Sequence, residues 1–459
     1  MDIRLYNSLT RKLETFAPLD PGEAKVYSCG PTVYGAASIG NFRAFLFADT
    51  LVRVLRYNQI PVRWVMNITD VGHLASDADE GEDKLQNSAR KEGRTAWDVA
   101  AEYTAQFLKD LQSLNIVTPD LFPKATDHIE EQIALVQELE DNGYAYHISD
   151  GIYFDTSKLK NYGAMAGQAV EDKQEGARVE ANPEKRHAAD FALWKFSPKG
   201  SQRDMEWESP WGVGFPGWHA ECTAMSMKYL GNLYDIHTGG MDLMSVHHPN
   251  EIAQAQGSRG TTEANIWMHN AFLQVDGGRM GKSLGNAYTI ADVQKRGYDP
   301  LAFRYFFLQA HYRRPHNFTF EALDGASQAL KRLRATVRAW ETPAIGCAPY
   351  EERFHRAVND DLDMPQALAV VWDMVNDAQA ATSAKAQSLK RFDEVLGLRL
   401  MDYIACPIDV PPEVQRLLDE RQTARVKKNY TASDRLRDQI AELGFVVEDT
   451  DGGQRISET

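Results

Sequence analysis

The chain has 459 residues, of which 43% are hydrophobic and 25% charged, with a formal net charge of −15. That length exceeds one simple core and predicts two to four domains of ordinary globular composition, with no low-complexity tract or short repeat. No apolar run approaches a bilayer span, so no membrane partner is expected, and the acidic balance argues against bulk attraction to nucleic acid while leaving room for a local basic face.

Residues 25–34 and 61–69 read as buried strands flanking a helical pattern in which Phe47, Leu51, Val54 and Leu55 form one apolar stripe. This βαβ unit predicts an α/β fold with a Rossmann-type parallel sheet. Between the first strand and its helix lies "YGAASIGNF", a small-residue turn at the kind of helix N-terminus that holds phosphate. Five acidic residues among the seven from Asp77 to Asp83 read as a solvated loop. Residues 121–205 mix short strands with polar turns and are expected to be an insertion between two halves of the sheet. An α/β pattern returns at 210–275, with "LYDIHT" as a strand and "HHPNEIAQAQG" as a helix ended by Gly257. From about 316 to 404, alanine- and leucine-rich amphipathic segments predict a helical bundle. The proline-rich linker "CPIDVPP" then leads to two helical stretches and a hairpin over "FVVEDTDGGQRI".

The N-terminus lacks the charged-then-apolar layout of a secretory signal, so a cytoplasmic protein is expected. The four cysteines, Cys29, Cys222, Cys347 and Cys406, form no CxxC pair, which argues against a disulfide framework. Cys29, Cys222, His247 and Glu251 make a chemically sensible set for zinc, with His247 and Glu251 one helical turn apart on one face. The dispersed cysteines are equally compatible with small buried hydrophobes, and His248 with Glu251 is a rival pair. "GGRMGKSLGN" (277–286) reads either as a mobile phosphate clamp, with Lys282 as its point charge, or as a glycine-rich surface turn. Residues 329–338 hold four basic and no acidic residues, and 421–438 hold six basic against two acidic. In so acidic a chain this marks either a polyanion-binding face or basic residues balancing acidic neighbours.

Taken in order, "YSCGPTVY", "VMNITDV", "GWHAECTAMS", "DIHTGGMDL", "HHPNEIAQ", "GKSLGN" and the C-terminal "ARVKKNYTASDRLRDQIAELGFVVEDTDGG" resemble the cysteinyl-tRNA synthetases, a class I aminoacyl-tRNA synthetase family, nearly end to end. The resemblance implies a catalytic domain in two halves (1–120 and 206–275) around a connective insertion (121–205). It further implies a loop region (276–315), a tRNA-binding helical bundle (316–405) and a small anticodon-side domain (406–459). It implies ATP-dependent ligation of L-cysteine to its tRNA through cysteinyl-adenylate, by a cytoplasmic monomer using zinc, with ATP and Mg²⁺ as substrate. The family's zinc ligands fall on Cys29, Cys222, His247 and Glu251. Its HIGH signature falls on Ser38, Ile39, Gly40 and Asn41, and its KMSKS loop on Arg279, Met280, Gly281, Lys282 and Ser283. Gly30, Thr69, Trp218 and Asp242 fall on cysteine-binding positions, Trp218 as a pocket wall and Asp242 as partner of the α-ammonium.

Three departures stand out: Ser38 in place of the first signature histidine, Gly281 in place of the loop's middle serine, and the acidic 77–83 stretch in place of a more compact segment. Ser38 either donates to a phosphate or only caps its helix. Two other activities fit the same catalytic residues: a ligase joining cysteine to an amino sugar, and an impaired paralogue that only binds tRNA.

Overall fold

The computed structural model describes residues 1–72, 83–166, 182–197, 203–281, 284–408, 410–450 and 453–458. Its backbone divides into two compact units. The first comprises Met1–Ser327, Glu352–Asp373 and Glu394–Leu398, and the second Gln328–Glu351, Met374–Asp393 and Arg399–Thr459.

The first unit is built on a parallel sheet of four strands, β1 (Ala24–Ser28), β2 (Val62–Met66), β3 (Leu233–Gly240) and β4 (Glu263–Asn270), in the order β4-β3-β1-β2. Val26 sits between Trp64 of β2 and Ile236 of β3, and all of these side chains are fully buried. The strands are apolar on both faces because helices cover both. The strand order reverses beside β1, and in such sheets ligands bind at that reversal, beyond the carboxyl ends of the strands.

Helix α1 (Ile39–Tyr57) crosses from β1 to β2 and buries Phe47, Leu51, Val54 and Leu55 on the sheet. Helices α2 (Lys84–Glu92), α3 (Trp218–Leu230), α4 (His247–Arg259) and α5 (Pro300–Leu308) complete the elements that matter for the site. Helix α4 does not end at Gly257 as its sequence implies; it continues to Arg259 and stops at Gly260, whose φ is +70°. Gly257 serves packing instead, since a Cβ there would lie 2.8 Å from Leu139 and 3.0 Å from Tyr144.

Between β2 and β3 the chain makes a second, antiparallel sheet from Ala145–Ile148, Gly151–Phe154, Phe191–Phe196 and Gly214–Pro216. Its last strand extends this sheet past residue 205, because Gly214 packs its backbone directly on Lys195. The segment His316–Phe318, assigned above to the helical stretch, is a strand paired with Leu273–Val275, so helix begins only at Phe320. Among the described residues no helix is long and apolar enough to cross a membrane.

In the second unit, helices Pro412–Val426 and Tyr430–Glu442 pack with the antiparallel hairpin Phe445–Thr450 and Gly453–Glu458 around Val414, Leu417, Leu436, Ile440 and Val447. Part of the basic stretch is neutralised locally. The buried Arg421 guanidinium makes two bonds to the Asp449 carboxylate, at 2.9 and 3.0 Å, and Arg425 and Arg437 pair with Asp449 and Asp434. Lys427, Lys428 and Arg435 stay exposed.

Candidate active site

Cys29 follows the last residue of β1, where the strand order reverses. The next residue must be glycine, because a Cβ on Gly30 would sit 1.7 Å from the Asn67 carbonyl oxygen. The Gly30 amide donates to Asn67 Oδ1 at 2.8 Å, and Asn67 Nδ2 donates to Thr69 Oγ1 at 3.0 Å, which fixes the ends of β1 and β2 side by side. Helix α3 brings Cys222 up from the other side, one turn after Trp218, and α4 presents His247 and Glu251 from its first and second turns.

Four donor atoms, one each from Cys29, Cys222, His247 and Glu251, lie within 4.8 Å of one another. The two sulfurs are 4.0 Å apart, Cys29 Sγ is 4.0 Å from Glu251 Oε1, and His247 Nε2 is 3.0 Å from the same oxygen. A tetrahedral zinc site with bonds of about 2.0–2.3 Å needs its ligands about 3.3–3.8 Å apart, so small side-chain adjustments bring this set into range. Glu251 Oε2 is buried with no hydrogen-bond partner among the described residues, an orphan that a cation would satisfy. The residues present therefore fit zinc, with two thiols as its preferred soft donors.

A second set, Cys29, His237, His248 and Glu251, also converges within 4.8 Å. Cys29, Cys222 and His247 line the central cavity of about 880 Å³, however, and His237 and His248 do not. A metal that meets a substrate must face the cavity, which favours the first set. The other histidines surround it. His219 Nδ1 lies 2.8 Å from His247 Nδ1, so the pair orients His247 with Nε2 toward the cluster. His237 and His248 each place Nε2 3.4 Å from Cys29 Sγ, held from behind by Tyr234 and His269.

Burial sets the electrostatics of this cluster. The Cys29 thiol is pushed well above its ordinary pKa by its contact with Cys222 and by burial, and burial raises Glu251 likewise, with Glu263 adding to it. Burial pushes His237 and His248 far down and His269 to about 3, so these rings stay neutral. A divalent cation among the donors reverses this balance for the thiols and the carboxylate.

At the other end of the cavity, α1 begins with a reciprocal cap. Ser38 Oγ donates to Asn41 Oδ1 at 2.7 Å and accepts from the Asn41 amide at 3.3 Å, while the Ser38 amide donates to Asn41 Oδ1 at 2.9 Å. The single proton of the Ser38 hydroxyl is thus committed within the cap, and Ser38 is buried away from the cavity that Gly40 and Asn41 line. Met280 rests over Gly40, where a Cβ would lie 2.0 Å from its methyl group, so the two signature segments touch. Asn286 braces the loop, accepting from the Gly281 amide at 2.9 Å and donating to the Arg279 carbonyl at 3.1 Å. The Ile39 amide donates to the Tyr288 carbonyl at 2.8 Å. Arg279 and Met280 line the cavity, as do Gly30, Thr69, Trp218 and Asp242. Lys282 and Ser283 lie outside the described residues, as does the acidic stretch up to residue 82.

Replacing Ser38 by alanine tests the capping geometry. Loss of the cap is expected to cost about 1 kcal/mol, read as a lower denaturant midpoint at unchanged slope. The KM for ATP is expected to stay within about twofold, and a tenfold rise would place the hydroxyl at the nucleotide instead.

A parallel sheet carrying a helix-N-terminal turn at its strand-order reversal, with a braced glycine loop beside it, is the frame of a class I synthetase. Residues 15–328 match the family described as tRNA synthetases class I (C) catalytic domain. Residues 353–401 match a DALR domain, and 408–456 a cysteinyl-tRNA ligase anticodon binding domain. The chain is 49% identical to cysteine–tRNA ligase 1 of Burkholderia lata, over 99% of this chain and 97% of that one. It is 41% identical to the cysteine–tRNA ligase of Zymomonas mobilis, over 98% of this chain and 96% of that one. The chain belongs to the cysteine–tRNA ligase family. Its fold resembles that of the Mycobacterium tuberculosis methionyl-tRNA synthetase solved with methionyl-adenylate, at a TM-score of 0.52 and 15% identity, covering 90% of this chain and 96% of that one.

The histidine shell of His219, His237, His248 and His269 was not legible as a group, since its members come from two strands and two helices and only His248, beside His247 and paired with Glu251 above, drew notice in the sequence. The one available signal was their number within residues 219–269, a span that also holds three of the four candidate metal donors, Cys222, His247 and Glu251.

Proposed function

We propose that this enzyme joins L-cysteine to tRNA in two steps and selects cysteine at a zinc ion held by Cys29, Cys222, His247 and Glu251. The convergence of those four donors, three of them (Cys29, Cys222 and His247) lining the same cavity as the two signature segments, carries the reading. A zinc ion held there would supply a soft Lewis acid that favours a thiol over a hydroxyl, a distinction an apolar pocket makes only about 10²-fold between near-isosteres.

The protein's own groups do the rest. Gly30, Thr69 and Trp218 bound the amino-acid end, and the Asp242 carboxylate takes the α-ammonium. The cysteine carboxylate attacks the α-phosphorus of ATP, forming the adenylate and releasing pyrophosphate. The nucleophile is already an anion, so positioning and charge stabilisation are required rather than a strong base. The N-terminus of α1 at Ile39, Gly40 and Asn41, together with Arg279, Met280, Gly281, Lys282 and Ser283, flanks the phosphates, whose charge Mg²⁺ helps neutralise. The terminal ribose hydroxyl of tRNA then attacks the carbonyl and AMP leaves. Residues 121–205 serve as a connective insertion that need not edit, 316–405 and 406–459 bind tRNA, and the enzyme acts as a cytoplasmic monomer.

Cysteine-dependent exchange of pyrophosphate into ATP, together with transfer of labelled cysteine to tRNA, is the expected result. Transfer to an amino sugar in place of tRNA would establish the sugar ligase, and tRNA binding without exchange the impaired paralogue.

A further inference from the structure

Lys84 belongs to none of the motifs considered above, yet its side chain lines the central cavity with Cys29, Cys222 and Trp218. Its ammonium lies 5.7 Å from the centre of the Trp218 ring and 5.9 Å from that of Tyr34. Among the described residues it forms no ion pair, which is an uncommon condition for a half-buried lysine.

Its position is fixed with unusual care. Lys84 is the first residue of α2, whose cap is Asp83, accepting from the Leu85 and Gln86 amides at 2.8 and 3.0 Å. The other Asp83 oxygen is 2.5 Å from Arg203 Nη2, in a pair whose side chains are only 9% and 8% exposed. Arg203 in turn lies over the Phe215 ring at 3.8 Å and donates to the Gly72 carbonyl at 3.2 Å. Gly72 has to be glycine, since a Cβ there would stand 2.1 Å from the Asp83 carboxylate. Helix α2 therefore starts at a braced point, and its N-terminal partial charge adds to that of Lys84.

An ammonium beside two aromatic rings, with no carboxylate paired to it among the described residues, is built for an anion brought by the substrate. The place on the cavity wall says which one. The Trp218 indole that carries Lys84 also packs on the His247 ring, with centroids 5.0 Å apart. Lys84 is thus at the amino-acid end, and the nucleotide elements Gly40 and Met280 are at the other. The geometry points to Lys84 as the residue that holds the α-carboxylate of the substrate amino acid and, once the adenylate has formed, the acyl phosphate in its place.

This rests on the proposed cysteine site, so the test separates the two. Cysteamine has the thiol and ammonium of cysteine but no carboxylate. Both ligands are titrated calorimetrically into the zinc-loaded full chain, wild type and Lys84→Met, a variant that keeps an unbranched apolar stem between the rings. Cysteine is expected to bind the variant at least tenfold more weakly, with cysteamine unchanged within about twofold. Lys84→Arg should restore part of the cysteine affinity, and the KM for cysteine in pyrophosphate exchange should rise while that for ATP does not. Equal weakening of both ligands would make Lys84 structural, and a rise in the KM for ATP would assign it to the nucleotide; either overturns the proposal. A wild-type chain that binds neither thiol overturns the metal-site reading and this one with it.

Discussion

Removing the metal is expected to lower cysteine activation by at least about 10²-fold, with zinc restoring it, because one preorganised electrostatic partner at a reacting centre contributes about 10²–10³. Cysteine and serine differ by a single atom, and the walls contributed by Trp218, Leu243 and Gly30 offer shape alone. Shape alone separates such pairs about 10²-fold, so discrimination beyond about 10⁴ in the zinc-loaded enzyme would have to come from the metal. The metal-free chain should then keep no more than about a 10²-fold preference for cysteine over serine, at a low level of activation. Cys222→Ser is the matching variant: it keeps the size of a buried side chain but replaces a soft donor with a hard one. It should lose bound zinc, measured directly as metal per chain, and unfold at lower temperature than the zinc-loaded wild type, since a ligand bound only by the folded state stabilises it. Recovery of activity and of near-ultraviolet dichroism on adding zinc back shows that stripping has not merely unfolded the chain. A metal-free enzyme with full cysteine activation and unchanged preference over serine would remove zinc from the selection step.

What could be read in the sequence and what could not divides along a physical line. The parallel sheet and α1 were legible because burial imposes periodicity, and the stripe from Phe47 to Leu55 is that imprint. Of the candidate donors, only His247 and Glu251 share a spacing rule; Cys29 and Cys222, 193 positions apart, made a sensible zinc set by their chemistry but were joined to a particular site only by the motifs around them. Gly257 misled because glycine in a helical pattern signals either an end or a close approach, and the neighbours that decide, Leu139 and Tyr144, come from a distant segment. Ser38 stood open between two roles in the sequence, and what bears on them, its hydroxyl's bond to Asn41 Oδ1, is visible only in the fold. Lys84 was hidden by its context: adjacent to an acidic stretch, it looked like one more solvated charge. Only the fold brings it under Trp218, which lies 134 residues away along the chain.

The largest stability effect is expected at Arg304. Within "PLAFRYFFL" it is the one charge on an apolar helix, and its side chain and that of Asp49 on α1 are both 0% exposed. Arg304 Nη2 lies 2.5 Å from Asp49 Oδ2, and its other nitrogens donate to the carbonyls of Leu396 at 2.6 Å and Leu114 at 3.1 Å. Asp49 also accepts from Arg53 at 2.9 Å and from the Val117 amide at 2.7 Å. Gly397, with φ at +65°, lets this chain segment approach, since a Cβ there would fall 2.6 Å from the guanidinium carbon. Arg304→Met removes the charge partner and strands two buried carbonyls, and is expected to cost about 3–5 kcal/mol in the denaturant midpoint. A paired Asp49→Leu, Arg304→Met change should recover little of that. The isosteric apolar exchange that often rescues a buried ion pair leaves the carbonyls unpartnered here. The same pair sets an acid dependence. Burial pushes the Asp49 carboxyl up, but Arg304 and then Arg53 outweigh it, so its pKa lies below the ordinary value. The stability it contributes is complete above the unfolded value of about 3.9 and disappears as pH falls through the lower folded value. In Arg304→Met the folded value rises toward or past the unfolded one, so acid removes less of the remaining stability, and the midpoint measured from about pH 5 down to about pH 2 should fall less steeply than in the wild type. A loss below about 1 kcal/mol at neutral pH with an unchanged acid slope would show that the network is replaceable by packing alone.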